Sequence, residues 1–322
     1  MAAFAVRRLG AAALTLLVVV TLSFVLAHLA PGAPFLGDAE RRRADPAQLD
    51  RMRAEFGLDR PLAEQYARYA VNALTGDLGE SFVHRRSVTA LLGERLPNTI
   101  LLGGTALLLS LAGGIGLALA QAARAGSRTD AALGAVALVF YSMPAFWLGL
   151  ILLWVFGQAL DWFPVGGMTE PVVHARLGPV DRALDVLRHL VLPALTLALV
   201  QMAAVARFQR GALVDTLRAE FVRAARARGL SGRAVLVRHA LRAALAPVLA
   251  LAGVMLPALL AGSVLVETVF GWPGLGRLLH EAIAQRDYNV ITACGLVAGV
   301  LVTVGSLGAD LAAHALDPRV RR

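Results

Sequence analysis

The sequence contains no lysine: all 31 basic residues among its 322 are arginine. A P-loop uses the lysine of its G-x-x-x-x-G-K-S/T motif to reach nucleotide phosphates, so this chain is not a standard P-loop ATPase. There is one cysteine, Cys294, set inside an apolar run. That excludes an internal disulfide, and no Cys/His spacing suited to zinc is present. The expected role of Cys294 is a small buried or lipid-facing side chain. The missing lysine, set beside abundant Ala, Gly, Val, Leu and Arg, reads as the codon bias of a GC-rich genome and not as chemistry.

Charge is absent from long stretches. Residues 9–30, 96–123, 131–160, 189–206, 243–266 and 288–309 hold no Asp, Glu or Arg. The chain is 57% hydrophobic with a mean hydropathy of +0.66, against about 45–50% apolar residues in a soluble domain. A bilayer core asks for about 20 apolar helical residues. Five runs meet that length. The fourth, 189–206, falls slightly short and carries Pro193 and Gln201, but an even alternation of loops requires it. The expectation is an all-α integral membrane protein with about six transmembrane helices. The first run is longer than the apolar core of a signal peptide and reads as a retained helix. Gly103, Gly104, Gly113, Gly114, Gly116, Gly134 and Gly149 supply small surfaces where helices approach in lipid. Pro144, Pro193 and Pro257 imply kinks or frayed turns.

A pI of ≈ 11.1 invites a nucleic-acid reading, but the charges lie elsewhere. With the N-terminus inside, the short inner segments (1–8, 124–130, 207–242 and the tail from residue 310) hold 16 Arg against 5 acidic residues. The short outer loops 161–188 and 267–287 hold 5 Arg, and the long loop 31–95 balances 10 Arg with 10 acids. The basic excess lines one membrane face, which suits anionic lipid and acidic partner surfaces. The chain divides into a first helix (1–30), an outer helical loop (31–95) and a core (96–322) with an inner loop at 207–242. In the outer loop, Asp45-Pro46 opens a helix expected to end at Phe56 with Gly57 as its stop. Pro61 opens a second, with Leu62, Tyr66, Tyr69 and Ala73 on one side.

The inner loop is the most informative stretch. Glu220 to Arg228 reads as a short helix with Phe221, Ala224, Ala225 and Arg228 on one face. Gly229 suits the left-handed stop after it, and Ser231 can cap the next helix, starting at Gly232 and running towards Pro247. Ala224 and Ala225 let the backbone approach a groove on another protein, while Arg223, Arg226 and Arg228 surround the contact with charge. A basic helix lying on the inner leaflet satisfies the same pattern.

Here the residues resemble a family, the permease subunits of dipeptide/oligopeptide/nickel ABC importers. In that family an EAA-type loop, Glu-Ala-Ala with Gly after three more residues, docks on the ATPase. Ala224, Ala225 and Gly229 match it. Arg223 stands where the general motif has Glu, and Pro247 lies further downstream. Both departures resemble the peptide branch, whose Thr-Ala-Arg-Ala-Lys-Gly-Leu is close to Ala224 through Leu230 here, followed by Arg238-His239-Ala240-Leu241-Arg242. Matches extend over nearly the whole chain. They include His28-Leu29-Ala30-Pro31-Gly32, Gly57-Leu58-Asp59-Arg60-Pro61-Leu62, Gly76-Asp77-Leu78-Gly79 with Ser81, and Leu96-Pro97-Asn98-Thr99. Further along come Ser142 to Trp147, His189 to Pro193, Glu267 to Gly276, Arg286-Asp287-Tyr288 and Leu316-Asp317-Pro318-Arg319.

The resemblance implies a type I ABC importer bundle of the MetI kind in a bacterial cytoplasmic membrane, with both termini cytoplasmic. It implies a second homologous permease, two ATPase subunits carrying ATP and magnesium, and an extracytoplasmic binding protein, with membrane lipid around the bundle and no nucleic acid. This chain then binds no cofactor or metal, performs no bond chemistry, and transmits force through Phe221, Arg223, Ala224, Ala225, Arg226, Arg228, Gly229 and Leu230. Asn98, Thr99, Ser142, Gln201, Ser263 and Glu267 are the candidate pathway residues. Helix-packing hydrogen bonds are the competing role for each, and for Glu267 also an exposed place at the outer interface. Peptides are the favoured substrate, nickel or another small solute the alternative. An ion-coupled secondary transporter would want an ionisable residue inside the bundle, and the runs hold only His28 and His189, at their ends. A non-transporting scaffold would lack an ATPase partner for the inner loop.

Overall fold

The computed structural model describes residues 2–29 and 59–316, which form helices joined by turns. The first outer-loop helix, expected over 45–56, lies outside the described residues. So do Ala30 to Gly32, Gly57, Leu58 and Asp317 to Arg319 of the matching segments.

In chain order the helices are α1 (Ala2–Leu29), α2 (Leu62–Thr75), α3 (Val88–Ala122), α4 (Arg128–Ser142), α5 (Ala145–Leu152, running into π-helical Leu153–Ala159), α6 (Pro179–Leu217) and α7 (Glu220–Ala227). Short helical turns Gly232–Ala234, Val235–Ala240 and Leu241–Ala244 lead to α8 (Ala246–Val269), α9 (Leu275–Gln285) and α10 (Tyr288–Leu316). The described part of every uncharged run falls almost wholly on helix. Among the described residues, three helices are long and apolar enough to cross a membrane: α3, α6 and α10 over Tyr288–Gly308.

The third run departs from a single straight span. Its two helices meet at 104°. Pro144 has no N–H to donate and pushes the residue before it out of the helical region. Met143 is accordingly extended, at φ −84 and ψ 133, and Leu148 N–H bonds the Pro144 carbonyl at 3.0 Å to open α5. The kink expected at Pro144 is thus a break, whereas Pro193 stays inside α6. The fourth run, short by itself, is the middle of a 39-residue helix. Charged residues at both ends lengthen α6 without breaking it, and Pro179 sits at its start, where a missing N–H costs nothing. Of the three spanning-length helices α6 is the most buried.

The described chain forms two compact units. One comprises the residues up to Asn98 with Gly274–Thr303, the other Thr99–Pro273 with the residues from Val304. In the first, α2 lies on α1. Thr21 and Tyr66 share a hydrogen bond of 2.8 Å, and Phe24 meets the Tyr66 ring edge-on at 5.4 Å. Tyr66, Tyr69 and Ala73 are half-buried as expected, but Leu62 is 60% exposed. Gly76, at φ +78, ends α2 in the left-handed region. The core of this unit joins Val88, Leu91 and Leu92 to Leu278 and Ala282 of α9 and to Val290, Ala293 and Cys294 of α10. Above it, Asp287 accepts from the Ser81 hydroxyl, from Val83 N–H at 3.3 Å and from Val290 N–H at 3.4 Å. The Ser81 and Arg286-Asp287-Tyr288 motifs are therefore two halves of one clamp at the start of α10.

In the second unit the core joins Leu102 and Ala106 of α3, Leu190 and Leu197 of α6, Leu259 and Val266 of α8, and Phe270 and Trp272. Small residues set the α3–α6 spacing. A Cβ on Gly114 would stand 2.5 Å from Val205 Cβ and 2.9 Å from the Met202 carbonyl oxygen. Gly103, Gly104 and Gly116, expected to serve likewise, face no atom within 4 Å.

Candidate functional site

The loop after α6 is built from the inside out. Arg218 and Ala219 turn back on Asp215 and Thr216 at 3.1 and 3.0 Å, ending α6. Glu220 then opens α7, an acidic residue at the positive end of the helix dipole. Val222 and Ala225, at 0% and 1% exposure, pack against Val235 and Leu217. In water, burying a valine side chain stabilises by about 1.5–3 kcal/mol. The Arg223–Glu220 ion pair, at 3.7 Å between two exposed side chains, contributes far less. The loop is held by its small apolar base.

The end of α7 is a Schellman motif. Gly229 N–H bonds Arg226 O at 2.9 Å and Leu230 N–H bonds Ala225 O at 3.4 Å. Gly229 has φ +80, and a Cβ added to it would meet no atom within 4 Å. A side chain there is opposed by backbone strain, not by lack of space. Ser231 accepts from Ala234 N–H at 3.3 Å and caps the next turn.

The structure thus divides the eight residues of the loop. Phe221, Ala224 and Arg228 share an exposed face, with Phe221 at 47% and Leu230 at 38% exposure. Arg223 and Arg226 are exposed beside it. Ala225, expected on that face, is turned inward. Val222, which the spacing did not single out, is its inner neighbour. A helix this short satisfies three- and four-residue spacing on either face, and only the position of Val235 decides between them. What remains outside is apolar surface ringed by guanidinium groups, with no acidic partner for Arg226 or Arg228 among the described residues. Exposed apolar patches with a polar rim mark contact sites.

Of the six pathway candidates, Thr99 and Glu267 are joined directly. Thr99 donates to Glu267 Oε1 at 2.9 Å, and the two are 2% and 0% exposed. Glu267 therefore does not sit at an exposed interface; it is buried, and its carbonyl accepts from Trp272 N–H at 2.8 Å. Ser263, one helical turn before Glu267, is also buried. Asn98 and Gln201 are half-buried. Ser142 is exposed and bonds its own helix at Leu138 O, 2.9 Å.

The Asp130–Arg210 pair is among those that the sequence spacing did not announce. Asp130, at the start of α4, accepts from Arg210 Nε at 2.8 Å and Nη2 at 2.6 Å, and from Gly126 N–H at 3.0 Å. The available signal was position alone: the two charges flank uncharged runs at ends assigned to the same side.

Residues 98–322 match the family described as binding-protein-dependent transport system inner membrane component, and residues 1–103 match its N-terminal companion. The oligopeptide transport system permease protein AppB of Bacillus subtilis is 38% identical over 323 residues, 99% of each chain. The di/tripeptide transport system permease protein DppB of Pseudomonas aeruginosa is 38% identical, covering 100% of this chain and 99% of that one. DppB of Escherichia coli K12, a dipeptide transport system permease, is 33% identical over 99% and 98%. In structure, the inward-facing MetNI methionine ABC transporter matches with a TM-score of 0.57 at 16% identity, over 70% of this chain and 96% of that one. The all-helical fold is that of a MetI-type permease. The chain belongs to the inner-membrane permease components of binding-protein-dependent transport systems, and is a multi-pass transport subunit, not an enzyme.

Proposed function

We propose that this chain forms half of the translocation path of an ATP-driven importer of di- or oligopeptides and receives the power stroke through the 207–242 loop. The observation that carries this is the α7 loop: a self-packed base of Val222, Ala225 and Val235 presenting Phe221, Ala224 and Arg228 outward. Full-length relatives named for peptide transport support the substrate class. A second homologous permease completes the path, and an extracytoplasmic binding protein delivers the peptide. Two ATPase subunits hold ATP and magnesium, and this chain itself binds no cofactor. The termini and the 207–242 loop are cytoplasmic, following the 16 Arg of the inner segments. Closure of the ATPases would then bias a two-state bundle between inward- and outward-facing forms.

Ala224→Cys, cross-linked in native membranes, tests the docking. The expected product joins this chain to an ATPase subunit and forms less readily at the buried Ala225→Cys. Absence of that product in a preparation that transports peptide would contradict the assignment.

A further inference from the structure

Between α4 and α6 lies a cavity of ≈ 520 Å³. Its charged members are Asp130, Arg210 and Arg207. The Asp130 carboxylate is committed to Arg210 by two hydrogen bonds. Arg207 has no ion-pair partner among the described residues; its guanidinium carbon stands 5.7 Å from the centroid of the Tyr141 ring. The cavity therefore carries one uncompensated positive charge. Its remaining wall includes Gly134, Leu138 and five alanines, with Gln121 and Ser127 as uncharged polar members; Gln121 donates to the Asp130 carbonyl at 3.3 Å. Arg207 directly follows one uncharged run and Asp130 directly precedes another. Charge meets apolar wall where the sequence crosses from water-facing to lipid-facing composition.

We propose that this cavity seats the phosphate headgroup of an anionic phospholipid, with Arg207 as the cation that pairs with it and Leu138 and Tyr141 against the glycerol and upper acyl chain. The shared chemistry is a phosphate anion. Free phosphate would satisfy Arg207 but leave the apolar wall facing water, whereas a lipid fills both. Basic pockets between transmembrane helices on the cytoplasmic side are suited to anionic headgroups. The leaflet rests on the cytoplasmic placement of 124–130 and 207–242 proposed above.

The transporter complex, purified in mild detergent and stripped of lipid, is re-exposed to phosphatidylglycerol or phosphatidylcholine, and retained lipid is counted by native mass spectrometry. Phosphatidylglycerol is expected to be retained over phosphatidylcholine. Arg207→Gln should cut its retention about fivefold, the worth of one basic residue near an anionic surface, and Arg207→Lys should keep most of it. Equal retention of the two lipids, or equal retention by Arg207→Gln and the unsubstituted chain, would overturn the proposal. Displacement of phosphatidylglycerol by inorganic phosphate would assign the cavity to a soluble anion instead. A cross-link from Leu138→Cys to the second permease would show protein filling it, and also overturns the lipid. The lipid count is independent of uptake, so failure of the peptide reading leaves it standing.

Discussion

Arg210 grips Asp130 across 80 residues of sequence through two parallel hydrogen bonds, at 2.8 and 2.6 Å. The Asp130 side chain is 6% exposed and that of Arg210 37%, so the acid is the member that depends on the pair. Removing one partner of a buried pair strands the other charge, at about 3–5 kcal/mol. Partial exposure of Arg210 places Arg210→Ala towards the lower end of that range. The expected outcome is a lower melting temperature of the purified complex. Arg210→Lys should recover only part, because a lysine ammonium cannot reproduce the bidentate fork. An unchanged melting temperature in Arg210→Ala would show that the pair does not stabilise the fold.

The two faces of α7 should respond differently. Val222→Ala deletes two buried methyl groups and should destabilise the loop by about 1.5–2.5 kcal/mol, seen as faster amide exchange over residues 220–240. Phe221→Ala removes exposed surface, so exchange should be unchanged in the isolated subunit while co-purification of the ATPase falls. Similar loss of ATPase from both variants with no difference in exchange would contradict the division of faces.

The clamp on Asp287 gives a local prediction. Asp287→Ala leaves the Ser81 hydroxyl and the Val83 and Val290 amides without their acceptor, and a buried group so stranded costs about 1–3 kcal/mol. Amide exchange should accelerate over residues 80–90 and at the start of α10. Unaltered exchange there would mean the clamp does not hold these segments.

Within the second unit, Thr99→Val keeps the shape of the side chain but removes one donor to buried Glu267. About 1–3 kcal/mol of stability should be lost, read as a lower melting temperature with peptide specificity unchanged. A change in which peptides are imported, without loss of stability, would instead make Thr99 a pathway residue.

Much of the fold was legible because bilayer physics is coarse. Runs without charge became helix, and Gly229 and Ser231 took the stop and cap that their chemistry predicts. Four features were not legible, each for a definite reason. Proline at 144 announces a disturbance, but a 104° bend depends on what the next helix packs against. The charges bounding 189–206 mark where composition changes, not where hydrogen bonding stops, so α6 outran its run. The pairs Asp130–Arg210 and Ser81–Asp287 join residues 80 and 206 positions apart, and no local spacing encodes that. Ala225 reads identically to Ala224 until Val235 is in place beneath it.

The proposed role of the α7 loop is to couple ATP hydrolysis to peptide import. The direct test is ATP hydrolysis by the reconstituted transporter, with its binding protein empty or loaded with a short peptide, for the unsubstituted chain and Gly229→Val. At φ +80 a β-branched residue is strongly disfavoured, so the Schellman turn should open while membrane insertion persists. Peptide-stimulated hydrolysis is expected in the first case and loss of stimulation in the second. Full stimulation in Gly229→Val, with the variant correctly inserted, would contradict that role.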